Sequence, residues 1–143
     1  MPLDNLKIQG KIDLIDRNLE FLAEYTKFNE NDFLSSYKDI QAVKYSLFEM
    51  IEACIDIASH IIAAKGFQRA ESYSEMFEIL ETKKIINQEL AKKLSNMAKF
   101  RNILVHSYAK VDNLRILEYI KKELNDIKLF VKIILDYLSK EGR

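Results

Sequence analysis

Proline occurs once in these 143 residues, at position 2, and glycine only three times. A sheet protein needs frequent turns and draws on both residues to make them. Their scarcity therefore predicts long helices with short joints. Cys54 is the sole cysteine, which excludes an intramolecular disulfide and any cysteine-based metal cluster. No run of about 18 uncharged apolar residues is present, so no segment reads as a membrane span and no membrane partner is expected. The start, Met1-Pro2-Leu3-Asp4, lacks the basic-then-apolar order of a secretory signal, and a cytoplasmic location is expected. With 48% hydrophobic and 31% charged residues, the composition is that of a globular chain. Its length suits a single domain over residues 1–143.

An excess of either charge is also missing: the formal net charge is zero. Alone, that argues against a nucleic-acid partner. The charge is unevenly distributed, however. Residues 83–110 hold seven basic side chains and one acid, Glu89, a local charge of +6 that the rest of the chain must balance with −6. A polyanion responds to charges within roughly 8–10 Å, so a neutral protein can still present it a positive surface.

What is present is helical periodicity. Ile8, Ile12, Ile15, Leu19 and Leu22 match the three-four spacing of one helix face, predicting a helix over residues 6–25. Asn29, Asn31 and Asp32 interrupt it and can cap the segment beyond them. The strongest stripe is Val43, Leu47, Met50, Ile51, Cys54, Ile55, Ala58, Ile61 and Ile62, in a helix starting near Ser36 and stopping at Gly66. Ser72 and Glu75 read as a capping box opening a short helix to about residue 80. Asn87 can cap a helix carrying Leu90, Leu94 and Met97. Asp112 or Asn113 caps a last one, with Ile116, Ile120, Leu124, Ile127, Val131, Ile134 and Leu138. The expected fold is all-α, an antiparallel up-and-down bundle. Some apolar side chains, Ile57 among them, lie off the main stripes, which suggests a second packing partner and a homodimer.

The stretch Arg101-Asn102-Ile103-Leu104-Val105-His106-Ser107-Tyr108 holds residue types that can carry chemistry, although on spacing alone a surface arginine and a satisfied histidine is the favoured reading. Arginine is always charged and offers phosphate a bidentate fork. Histidine takes or gives a proton near neutrality. Together they suffice to cleave RNA by internal attack of the ribose 2′-OH, with no metal-bound water and no cofactor. His106 would assist proton transfer and Arg101 would stabilise charge on the phosphorane. Asn102 can orient His106, and Tyr108 offers a stacking or hydrogen-bonding surface. DNA, lacking the 2′-OH, is not an expected partner. On an ideal helix Arg101 and His106 diverge by about 140°. A helix end near His106, or two copies of the motif meeting across a twofold axis, would bring the two groups together.

Arg-x4-His with Asn after the Arg, continued as His-x-Tyr, resembles the signature of the HEPN superfamily. The likeness extends to its HepT-like branch of ribonuclease toxins: a helix like residues 52–62, the segment Ser72-Tyr73-Ser74-Glu75, the motif block, then a long final helix. It covers roughly residues 36–138. The resemblance implies a helical homodimer with a composite cleft and metal-independent endoribonuclease activity. It also implies a toxin–antitoxin pair, in which a minimal nucleotidyltransferase antitoxin attaches AMP to the motif tyrosine, here Tyr108. A non-catalytic module binding a nucleotide or a partner through the same cleft is the alternative, which the presence of Arg101, Asn102 and His106 together disfavours.

Glu52, Asp56 and His60 form one polar line at spacing i, i+4, i+8. Given the resemblance, Glu52 and Asp56 are candidates to line the cleft and pair with Arg101; a solvated helix face is the other reading. His60 reads as structural, and the sequence shows no ligand set that would join it and His106 in a metal site. Tyr73, in a polar capped segment, is a candidate cleft-edge residue, but packing over a helix end is the favoured reading. Lys92, Lys93 and Lys99 are candidates for steering RNA, or else form a solvated face.

Overall fold

The computed structural model describes residues 3–107 and 110–141. Among them seven α-helices form and no strand: α1 (Asn5–Ala23), α2 (Glu30–Leu34), α3 (Tyr37–Ala64), α4 (Tyr73–Thr82), α5 (Gln88–His106), α6 (Asn113–Lys122) and α7 (Leu124–Glu141), with a 3₁₀ turn at Glu24–Lys27 after α1. The helix starts are chemically marked. Side chains of Asp4, Asn29, Ser36, Ser72, Asn87 and Asp112 each accept a backbone N–H in the first turn of the helix they precede. At α4 the box is offset by one residue: Ser72 takes Glu75 N–H at 3.1 Å, and the Glu75 carboxylate takes the N–H of Glu71 at 3.1 Å. Gly66 ends α3 at φ 67°, and Phe67 N–H closes back onto Ile62 O at 3.0 Å. That left-handed turn is where glycine is needed.

Side-chain contacts fix the register of α1 against α3. The Asp4 N–H donates to His60 Nε2 at 3.0 Å, Lys11 pairs with Asp56 at 2.9 Å, and Asn18 bonds Glu49 and Ser46 at 3.0 and 2.6 Å. Rising numbers on one helix meet falling numbers on the other, so the two are antiparallel. Helix α4 packs on α5 in the same sense at Ser95 and Ser74. The long α3 sits in the middle, touching α1, α2, α4, α5 and α6. Its residues Val43, Leu47, Met50, Ile51, Cys54, Ala58 and Ile61 are fully buried, each adding ~1.5–3 kcal/mol for the larger side chains. Burial pushes the Cys54 thiol up to about 12, leaving it an inert core group.

Two expectations change, and the segment that Asn29 caps proves to be a helix of its own. Ile57 is 1% exposed within the chain itself; the central position of α3 accounts for its apolar surplus, so Ile57 is no argument for a second copy. The stretch after Asn29 forms α2, a short helix that seats the fully buried Phe33. The last helix is two helices. Its apolar stripe runs unbroken through the joint, and the turn is made by Glu123 at φ −108°, ψ −5° without glycine or proline, so periodicity gives no sign of it. The break lets α6 cover α2 and the 3₁₀ turn while α7 packs on α5 and α1. No described helix is long and apolar enough to cross a membrane.

Candidate active site

Arg101 stands in the line of the buried face of α5. Leu90, Leu94, Met97, Arg101 and Leu104 repeat at spacings of four and three, so a guanidinium occupies a position the helix otherwise gives to apolar side chains. A charge placed there needs partners, and α3 and α4 supply them. Arg101 Nε donates to the Glu52 carboxylate, and Nη1 donates to Asn102 Oδ1 at 3.3 Å. The Phe48 and Tyr73 rings lie 5.6 and 4.9 Å from Arg101 Cζ, within the range of cation–π attraction. Only 15% of the Arg101 side chain is exposed. Nη2 makes no hydrogen bond among the described residues, so the guanidinium is held in place with donors to spare.

His106 has the opposite setting. It is the last residue of α5, exposed, and joined to no other described side chain. The helix does end there, at Ser107 with φ −134°, ψ 34°, yet Arg101 and His106 still face different ways. Asn102 bonds Arg101 and not His106. Tyr108 lies outside the described residues. Among the described residues no group of three histidine, cysteine or acidic side chains stands together as metal ligands would.

The acidic line on α3 divides. Glu52 reaches Arg101, whereas Asp56 is engaged by Lys11 of α1 and His60 accepts the Asp4 backbone N–H. The lysines divide too. Lys93 pairs with Asp126 of α7 at 3.5 Å and with Glu89 at 3.7 Å, and the Asp126 carboxylate holds its ammonium above the usual lysine range. No described acid pairs with Lys92 or Lys99. These two and His106 are spaced by seven, a period that drifts only about 20° per step. They form one exposed line along α5 ending at the histidine.

A model of the ribonuclease HepT-like family matches residues 15–134. The chain belongs to the HepT-like ribonuclease family. It is 31% identical over 132 residues to a tRNA nuclease HepT of Aphanizomenon flos-aquae, covering 92% of this chain and 89% of that protein. It is 31% identical over 93 residues to an mRNA nuclease HepT of Shewanella oneidensis, covering 65% and 70%. The fold is similar to that of a tri-AMPylated S. oneidensis HEPN toxin solved in complex with MNT antitoxin. The TM-score is 0.84 and the identity 27%, over 93% of this chain and 99% of that one.

Within this HepT-like site one residue, Phe48, went unread in the sequence, and Tyr73, read there as packing over a helix end, instead lies on the Arg101 guanidinium. Phe48 precedes Glu52 by one turn of α3, a spacing that places both on the face toward Arg101. Tyr73 reaches the guanidinium from another helix, a contact that α4's own pattern does not announce. Beside it lies a cavity of about 280 Å³ lined by Ala70, Glu71, Ser72, Tyr73, Met76 and Asn102.

Proposed function

We propose that this chain is a metal-independent endoribonuclease and the toxin of a toxin–antitoxin pair, acting as a homodimer. The observation that carries the reading is the state of Arg101: a nearly buried guanidinium, fixed by Glu52, Asn102 and two rings, with no hydrogen bond from Nη2 among the described residues. Such restraint suits a group that must meet a phosphorane without rearranging. His106, one and a half turns on, is exposed and has no partner among the described residues. On one helix the two cannot converge, so Arg101 of one copy works with His106 of the other across a twofold axis. Ile103 and Val105, 41% and 42% exposed beside the motif, give that contact apolar surface.

In the reaction the ribose 2′-OH attacks the adjacent phosphorus, the new O–P bond forms and the P–O5′ bond breaks. His106 moves the proton and Arg101 neutralises the oxyanion. The products are a 2′,3′-cyclic phosphate and a 5′-OH. Lys92 and Lys99 draw the RNA along α5 toward the cleft. The names of the two HepT relatives, a tRNA nuclease and an mRNA nuclease, support RNA as substrate.

The similarity to an AMPylated toxin bound to an MNT antitoxin supports Tyr108 as acceptor of AMP from a minimal nucleotidyltransferase. An adenylate there adds a phosphodiester anion that competes for Arg101. The test is purified protein with RNA in EDTA: fragments should end in 2′,3′-cyclic phosphate, and adenylation by the partner and ATP should stop their appearance and be absent from Tyr108→Phe by intact mass. Cleavage that vanishes in EDTA, or equal AMP incorporation into both proteins, would contradict the reading.

A further inference from the structure

The cavity beside Arg101 has the make-up of a base-recognition pocket. Its volume, about 280 Å³, is at the bottom of the roughly 300–1,000 Å³ range of small-molecule sites and suits one ring system. One wall is the Tyr73 ring, 38% exposed, which also lies on the Arg101 guanidinium with 4.9 Å between centroid and Cζ. A second wall is Asn102. Arginine has only donors, so the atom Asn102 turns toward Arg101 Nη1 must be its carbonyl oxygen. The amide nitrogen is thereby left as a donor with no acceptor among the described residues, on a residue that lines the cavity. Glu71, an exposed residue whose carboxylate is an acceptor, is among the residues that line the same cavity. An aromatic ring, an amide donor and a carboxylate acceptor lining one cavity are the groups that stack and hydrogen-bond a nucleobase in single-stranded RNA.

We propose that Tyr73, Asn102 and Glu71 form a nucleobase subsite that sets which nucleotide flanks the cut. The proposal rests on Arg101 contacting the scissile phosphate. Because Tyr73 lies on that same guanidinium, the base of a nucleotide whose phosphate reaches Arg101 falls within the cavity's reach. Tyr73 thus serves twice: one contact restrains the arginine, the other stacks the base.

The test uses His106→Ala protein carrying ¹³C-methyl methionine, since Met76 lines the cavity and its methyl will feel a stacked ring. It is titrated separately with the four nucleoside 5′-monophosphates and with ribose 5-phosphate, which lacks a base. At least one nucleotide should bind about tenfold or more tighter than ribose 5-phosphate, the margin of one base–aromatic stack, and shift the Met76 methyl. Tyr73→Phe should keep that margin and Tyr73→Ala lose it. Equal binding of nucleotides and ribose 5-phosphate, an unmoved Met76 methyl, or a margin that survives Tyr73→Ala would overturn the subsite. So would a Met76 shift of the same size on simple dilution, which would mean that a second copy closes the cavity. Mapping of fragment ends separates this from the ribonuclease reading. Wild type should favour one nucleotide beside the cut, and Tyr73→Ala should lose that preference. Cleavage whose preference is unchanged in Tyr73→Ala removes the subsite and leaves the nuclease. Base binding at Met76 without any RNA cleavage removes the nuclease and leaves the subsite.

Discussion

Arg101 and His106 stand on the same helix, five residues apart, and live in opposite surroundings. The first is packed where α3, α4 and α5 meet, bonded to Glu52 and Asn102 and covered by Phe48 and Tyr73. The second projects from the last turn of α5 with no described partner. The difference teaches what each group needs. A charge that must stabilise another charge works best when already oriented, and the fold supplies that orientation at the cost of burying an ion pair. In the reaction proposed above, the proton carrier must meet substrate directly, and its final position would be left to whatever completes the cleft.

The largest effect that sharpens this contrast is a pair of substitutions. Arg101→Ala and His106→Ala should each lower the cleavage rate by at least about 10². Their stabilities should part. Arg101→Ala leaves the Glu52 carboxylate half-buried and unpaired and should cost ~1–3 kcal/mol, a melting temperature lower by several degrees. His106→Ala, at an exposed site, should stay within about 0.5 kcal/mol of wild type. Equal destabilisation in a thermal melt would erase the distinction between the two environments.

Next come the two carboxylates of α3. Glu52→Ala should reduce cleavage by about 10-fold or more, because a loosened guanidinium is a misplaced one. Asp56→Ala, which releases only Lys11, should change cleavage less than twofold and stability by less than about 1 kcal/mol. If Asp56→Ala proved the more damaging in initial-rate assays, the assignment of Glu52 as the residue that holds Arg101 would be wrong.

The smallest effect concerns the lysines. Replacing Lys92 and Lys99 with alanine should raise KM several-fold. It should also flatten the dependence of log affinity on log salt, by about 0.7 for each phosphate of single-stranded RNA that is no longer neutralised. Lys93→Ala should do less, its charge being already engaged by Asp126. A larger effect for Lys93 in salt-dependence measurements would place the RNA path on the α7 side instead.

Much of the helical layout was legible because it is local chemistry. Ser36, Ser72, Asn87 and Asp112 cap where cap residues should, and Gly66 stops α3 through the one backbone conformation that favours it. The joint at Glu123 was not legible, since no breaker marks it and the apolar stripe passes straight through. Ile57 misled because a helix at the centre of a bundle and a helix at a dimer interface both need apolar residues all round. At the site, the motif residues could be found from residue type and spacing. Phe48 could not, and Tyr73 was open to a cleft-edge reading that its own segment could not decide, because only the packing of three helices brings both onto Arg101. The split between Glu52 and Asp56 is likewise tertiary: equal spacing on α3 says nothing of which neighbour each will meet.

The central claim is a cleft built from two copies, with Arg101 of one acting on the same phosphate as His106 of the other. The most direct measurement co-expresses Arg101→Ala and His106→Ala chains under different affinity tags and assays the purified mixed dimer, whose mass should be near twice 16.8 kDa. One of its two symmetry-related sites then keeps both groups, so the mixed dimer should recover about half of wild-type cleavage. A mixed dimer as inactive as either parent would show that the two residues do not cooperate across chains, and the composite cleft would be refuted.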